Sequence, residues 1–562
     1  MQESGYTGQA VVYLAHPHIP DLGFLSITSA TKSSSTPEVI FSESQVICRG
    51  ILSNKVEHFH NVKYASDTSG PNRFAPPKPF TPPPGTVIDA SLPGPACPQI
   101  KDPMPPFFSA VEEISEDCLN LHIARPSGLD INSKINLPVV VYNAEGGAIK
   151  GSNHDNHISP EKLISLSVTD RNPIIFVALN SRLSIFGFSR LPILEDEKSL
   201  NLGMRDQRAA FEWVRDHIRE FGGDPNRITT YDLSAGGTMT SLQIMEYGGQ
   251  KGVPFQQAWV MSGPPGTSLN MTSDATEHHT RVVADRVGCG ELVDSEILSC
   301  LQHIPMQDLI DSAMEYSMSN HPPSGLFTFI PSVDDDFLPG RYSTLMREGS
   351  FVKDLIQSEE DMITSIKTFV HAMTAEQYAE LFDLYSASDF EEESTNYVSQ
   401  KASEDPNISI SPLSSFPHLE RRPTFTGVRL YDLNQSALTP LWKGAGMPYV
   451  KVSHGSDNNY LFNGVFPEGQ LTEEDNEISE MMTRSLVNFA YTGNPISTFL
   501  SQKQFDEWLE SYDKVEIENT QLESFKIQVI GGPHGTGPVL LTDEDNSDSI
   551  KRNLENEKIG TW

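Results

Sequence analysis

The chain has no long apolar run. A membrane-spanning helix needs roughly 18 or more apolar residues in succession, and no stretch of the sequence approaches that length. An integral membrane segment is therefore not expected. The amino terminus also lacks the pattern of an export leader. In MQESGYTGQAVVYLAHPHIPDLG no basic residue precedes Lys32, and the apolar run Ala10–Ala15 is short and flanked by polar residues. Basic residues are scarce throughout: 40 Lys and Arg stand against 75 Asp and Glu, a formal net charge of −35. Nucleic acid is bound largely by Lys and Arg neutralising phosphates, so no nucleic-acid partner is expected, and the surface reads as that of an acidic enzyme. There is no internal repeat. Nothing resembles a phosphate-cradling glycine loop or a metal-ligand cluster with structural spacing, so no cofactor and no metal are expected. Cysteines number only five.

What is present suffices for a large core, with 38% hydrophobic and 9% aromatic residues. Residues 1–40 are Ser/Thr-rich and aperiodic and read as a poorly ordered amino-terminal extension. The globular pattern runs over residues 41–540, and residues 541–562 form an acidic tail. The stretches LPVVVYN (Leu137–Asn143), PIIFVALN (Pro173–Asn180), RITTYDL (Arg227–Leu233), QQAWVMSG (Gln256–Gly263) and PYVKVSHG (Pro448–Gly455) read as buried strands. Between them, Gly203–Gly223 carries apolar residues at helical spacing and ends in a glycine pair. Strands alternating with helices predict an α/β fold, a mostly parallel central sheet with helices on both faces.

In such sheets chemistry gathers on loops at the carboxyl ends of strands. Three candidates lie there. RITTYDLSAGG brings Ser234 from a strand into a turn and then a helix, the layout of a nucleophile elbow. A serine hydroxyl needs a base, the base an orienting acid, and the developing oxyanion preorganised N–H donors. VSHGSDNNYLF sets His454 directly after a strand, and YNAEGGAIKGS sets Gly146 and Gly147 after another. Cys97 and Cys118 bracket a short loop, as do Cys289 and Cys300, leaving Cys48 over. Two disulfides of this kind would suit an oxidising compartment and would contribute about 3 kcal/mol each on a loop-entropy argument; buried reduced thiols would fit the spacing as well. Asn270, Asn407 and Asn434 begin glycosylation sequons.

Together these segments resemble the type-B carboxylesterase and cholinesterase–lipase family. The resemblance runs from about Cys48 to Val539 through GPACPQ (Gly94–Gln99), SEDCLNLHI (Ser115–Ile123), the Gly146–Gly147 loop and ALNSRLSIFGF (Ala178–Phe188). It continues through NLGMRDQRAAFEWVRDHIREFGGDPNRIT (Asn201–Thr229), DLSAGG and HGSDNNYLF. IQVIGGPHGTGP is similar to the fungal branch. The resemblance implies an α/β-hydrolase fold and hydrolysis of a small-molecule ester or lipid through an acyl-serine intermediate. Ser234 would be the nucleophile, His454 the general base, and Gly146, Gly147 and Ala235 the oxyanion-hole donors. It further implies the disulfides Cys97–Cys118 and Cys289–Cys300, and a secreted protein.

Three departures bear on activity. The glycine two residues before the serine is Asp232, and Leu233 stands where Glu is common. Asp232 is expected to crowd the tight elbow and to set a negative charge beside a forming oxyanion. Glu145 brings a second carboxylate to the glycine loop. The triad acid cannot be located. RYSTLMREGSFVKD (Arg341–Asp354) leads toward the strand that should carry it, and the chain then passes at Leu355 into a helical stretch. Ser358 reads there as a helix cap and Glu359 and Glu360 as first-turn residues. One sheet strand and its acidic turn are missing near 354/355, which should leave backbone groups unpaired inside the sheet. A second contraction falls within Ser414–Phe425. Asp457 follows His454 too closely to be the acid and reads as a surface or structural carboxylate. The competing readings are a catalytically silent binding or scaffold protein on the same fold, a truncated gene product, and an interfacial lipase, for which PMPPFF (Pro103–Phe108) would have to serve as a lid.

Overall fold

A computed structural model describes residues 11–14, 36–129, 136–144, 146–261, 273–321, 325–347 and 350–352, and shorter stretches between 429 and 540. The stretch around the 354/355 junction, with Glu359 and Glu360, lies outside the described residues. So do Glu145, Ser414–Phe425, the acidic tail and most of the strand expected over Pro448–Gly455.

Fourteen strands occur among the described residues. They are β1 (Val11–Leu14), β2 (Glu38–Phe41), β3 (Val46–Arg49), β4 (Ile51–Ser53), β5 (Val56–Lys63), β6 (Val87–Asp89) and β7 (Asn120–Pro126), followed by β8 (Leu137–Asn143), β9 (Ile175–Leu179), β10 (Gly223–Leu233), β11 (Gln257–Met261), β12 (Tyr431–Leu433), β13 (Lys526–Ile530) and β14 (Gly537–Leu540). Eight form one sheet in the order β1-β11-β10-β8-β9-β7-β5-β4. Its middle, β9-β8-β10-β11, is parallel. β8, β9 and β11 are buried at every position, as strands covered on both faces must be. The long helix Leu202–His217 and a 3₁₀ turn over Ile218–Phe221 cover one face. Gly222, at φ 91°, then turns the chain into β10. The helix Glu473–Thr492 covers the other face, opening on a Thr472–Asp475 capping box. Arg182 and Asp206 hold the loop after β9 to the first of these helices by paired 2.7 Å hydrogen bonds in a buried setting.

Both expected disulfides are present, Cys97–Cys118 and Cys289–Cys300. Cys48 is a buried free thiol whose pKa burial pushes up to about 12.

The edge of β11 differs from expectation. Among the described residues, the free side of β11 is not left open. β1 pairs antiparallel with β11, Val11 opposite Met261 through Leu14 opposite Ala258. β12, β13 and β14 form a separate three-stranded sheet. The backbone groups of an uncovered strand must find partners, and four residues of the stretch expected to be an unordered arm supply them. Successive N–H groups of a strand point to opposite sides, so a proline at one of Val12 and Tyr13 removes a ladder donor while the other does not. Thermal unfolding of Val12→Pro and Tyr13→Pro is expected to show one clearly lowered midpoint and one close to wild type. Two unchanged midpoints would mean β1 contributes nothing to the sheet.

Candidate active site

Ser234 joins β10 to the helix Ala235–Gln243 at φ 58° and ψ −127°. A side chain held in this sparsely populated region costs of order 1–3 kcal/mol and persists only where its surroundings enforce it. The enforcement is visible. The Ser234 N–H donates to Met261 O at the end of β11, 2.9 Å, and its carbonyl accepts from Thr238 N, 2.9 Å. The hydroxyl stands half-buried at the carboxyl end of the central strands. An ordinary turn serine needs none of this, so the elbow expected from sequence is formed.

Asp232 does not sit as expected. It is fully buried, and its carboxyl faces the neighbouring strand and helix. One oxygen accepts the Asn143 N–H at 2.7 Å, and the other accepts the hydroxyls of Thr240, 2.6 Å, and Thr230. Asn143 ends β8 and Thr240 lies in the elbow helix, so this carboxyl ties the nucleophile strand to the root of the glycine loop. Burial raises its pKa from 3.8 to about 7 against the lowering pull of those donors. The folded value lies above the unfolded one. Stability from this group is therefore full at low pH and lost as pH rises from about 4 through about 7, at roughly 1.4 kcal/mol per unit of displacement. In Asp232→Asn the thermal midpoint should gain on wild type across that window and run parallel to it above. A constant offset at every pH would refute the titration.

The glycine loop is only partly free to receive an oxyanion. The Gly146 N–H donates to Lys150 O at 2.7 Å, which removes one expected donor in this conformation. Gly147 adopts φ 58°. Ala235 opens its helix, so its N–H has no intrahelical partner. Both glycines are required by close packing. A Cβ on Gly146 would meet the Phe108 ring at 2.1 Å, and one on Gly147 the Leu326 side chain at 2.0 Å. The Pro103–Phe108 segment thus closes over the loop.

His454 lies in the turn before the helix Ser456–Phe462. Gly455 beside it is 3.5 Å from Leu233 Cδ2 and 3.4 Å from the Phe107 ring, measured from a Cβ built on it. The loop therefore reaches the elbow. Phe107 faces Trp442, ring centres 6.4 Å apart. The imidazole has open surface although protein surrounds it at longer range, as for a side chain facing into a hollow. Desolvation alone lowers its pKa from 6.5 to about 4. Among the described residues, no carboxylate pairs with it and no hydrogen bond joins it to Ser234. Asp457, three residues on, is not a surface group: it is wholly buried, accepts the Tyr431 hydroxyl at 2.8 Å, and is raised to about 6 by burial. The elbow, the glycine loop and the His454 turn are brought together. The apolar wall of Phe107, Phe108, Leu326 and Trp442 was missed in the sequence, where only PMPPFF hinted at it.

The profile of the Carboxylesterase family matches residues 47–405 and 354–529. An inactive carboxylesterase-like protein of Byssochlamys spectabilis is 32% identical over 504 residues, 82% of this chain and 85% of that one. A secreted lipase of Arthroderma benhamiae is 31% identical over 502 residues, 84% and 86% of the two chains. Among solved structures, Aspergillus niger EstA superposes with a TM-score of 0.67 at 18% identity, covering 94% of this chain and 98% of its own.

Proposed function

The chain belongs to the carboxylesterase family, and from that premise we propose that it hydrolyses carboxylic esters through an acyl-Ser234 intermediate. His454 serves as general base, and the Gly147 and Ala235 amides receive the oxyanion. The observation that carries this is the enforced elbow at Ser234, a strained strand-to-helix turn of the kind that presents a nucleophilic hydroxyl.

His454 takes the Ser234 proton as the oxygen attacks the ester carbonyl. The tetrahedral oxyanion forms against the two amides, the imidazolium returns the proton to the departing alcohol, and water repeats the sequence on the acyl group. The aromatic wall favours a small apolar ester over a charged one. With no carboxylate among the described residues to fix its tautomer, His454 is read as a poorly oriented base with correspondingly slow turnover. The family profile matches in two pieces that overlap over residues 354–405, which supports a loss of collinearity in the region where the acid strand was expected. The two disulfides and a secreted relative support an extracellular location.

A second reading, a silent relative that binds without turnover, is favoured by a His454 with no carboxylate partner among the described residues and by a relative named inactive. Incubation of folded protein with a serine-directed phosphonate separates the two. Esterase chemistry predicts a covalent adduct mapped to Ser234 by mass spectrometry. Folded protein that stays unlabelled would overturn it.

A further inference from the structure

Apart from the active site, four histidines meet on β5, β7 and the segment after the glycine loop. His58 and His60 project from one face of β5. The β5–β7 ladder slips between Phe59 and Val62, which face Ile123 and Leu121, so His60 and Asn61 together oppose His122. This is a β-bulge, with Asn61 at φ 51°, and bulges commonly re-aim a side chain. Here His60 lies stacked on His122 at 4.3 Å, while the His58 and His122 rings are 5.3 Å apart. One ring nitrogen from each of His58, His60 and His122 lies within 4.8 Å of the other two.

The hydrogen bonds around this cluster do not close. A carbonyl only accepts, so His122 Nδ1, 3.3 Å from Asn153 O, carries that ring's proton and leaves Nε2 as a lone pair. That lone pair faces His58 Nδ1 at 3.0 Å. If His58 donates from Nδ1, its Nε2 lone pair faces the Glu161 carboxylate at 3.6 Å with no proton between them. If it holds its proton on Nε2, toward Glu161, two lone pairs face each other across 3.0 Å. Either neutral tautomer sets acceptor against acceptor in a buried place, and His58 Nε2 and His60 Nδ1 have no hydrogen-bond partner. Buried polar groups left in this way are costly and call for an occupant.

We propose that His58, His60 and His122 bind a divalent cation of the zinc class, with Glu161 as the outer-sphere carboxylate that orients His58. The second tautomer then becomes the favourable one, since both facing lone pairs point at the cation. Imidazole nitrogens bind zinc at about 2.0–2.1 Å, which sets tetrahedral ligands roughly 3.3 Å apart, close to the observed 3.0 Å between His58 and His122. Three protein ligands leave one position open for water. Glu161 accepts from Ser53 and Asn54, so its own orientation is fixed as an outer-sphere group requires. His154 is not a ligand in this arrangement, because its Nε2 accepts the Gly94 N–H at 3.2 Å.

The test uses the full chain, stripped with a chelator, dialysed and titrated with Zn2+ against a chromogenic chelator. One tight equivalent is expected, with a rise in thermal midpoint and, on Co2+ substitution, the intense visible bands of a tetrahedral site. His60→Ala and His122→Asn should each lose that equivalent, and Glu161→Gln should weaken it about tenfold. Circular dichroism checks that each variant is folded, and the milder His122→Asn keeps the test decisive if His60→Ala is not. Failure of folded wild-type protein to bind would overturn the proposal and leave a proton as the occupant. An equivalent that survives both histidine variants would also overturn it, placing the ion among other histidines.

Discussion

Ser234→Ala is expected to abolish covalent labelling and to reduce ester turnover to the residual floor that the oxyanion donors and binding alone supply, while leaving the fold intact. The substitution deletes one half-buried oxygen whose removal breaks none of the elbow's backbone hydrogen bonds, since those run through Ser234 N and O. Stability should therefore change little, and the strained φ of 58° remains tolerable for Ala at the same penalty. In complete triads the nucleophile contributes on the order of 10⁶ to turnover. If His454 works without an orienting acid, the loss will look smaller, because the starting activity then already lacks the share such an acid supplies, about 10⁴. Triad members act as a unit, so their losses do not multiply. The informative comparison is Ser234→Ala with His454→Ala on one ester substrate. If the two residues work together, both variants fall to the same floor. Activity that stays near the wild-type level in Ser234→Ala would come from a different site on the chain.

How far the sequence could be read follows from how local each signal was. β8 and β11 were legible because a strand buried on both faces is an unbroken apolar run, and each run carries its own signature. The elbow was legible because strand, serine and small residues are contiguous. Asp232 was misread for the opposite reason. A carboxylate two residues before a nucleophile looks harmful until its partners are known, and one of them, the Asn143 N–H, lies 89 residues away. β1 was invisible: four residues in a polar context carry no periodic signal, and their partner strand begins at Gln257. The histidine cluster was missed because its members, at 58, 60 and 122, meet only through a bulge.

The pH dependence of hydrolysis should expose the state of His454 directly. A general base works only when neutral, and burial lowers the His454 pKa from 6.5 to about 4 with no opposing carboxylate among the described residues. The acid limb of kcat/KM is thus expected near pH 4. A triad acid would stabilise the imidazolium and move the limb upward, toward or above 6.5. The sign for stability runs with it. The folded pKa lies below the unfolded one, so this group's stabilisation is complete above about 6.5 and is lost as pH falls toward 4. Circular dichroism at each pH must accompany the rates, so that loss of fold is not read as titration of the base. A limb near 4 in folded protein means an unassisted imidazole, and explains slow turnover as a weak base without a fixed tautomer. A limb above 6.5 means that a carboxylate from outside the described residues rests against His454, and the site is then a complete triad.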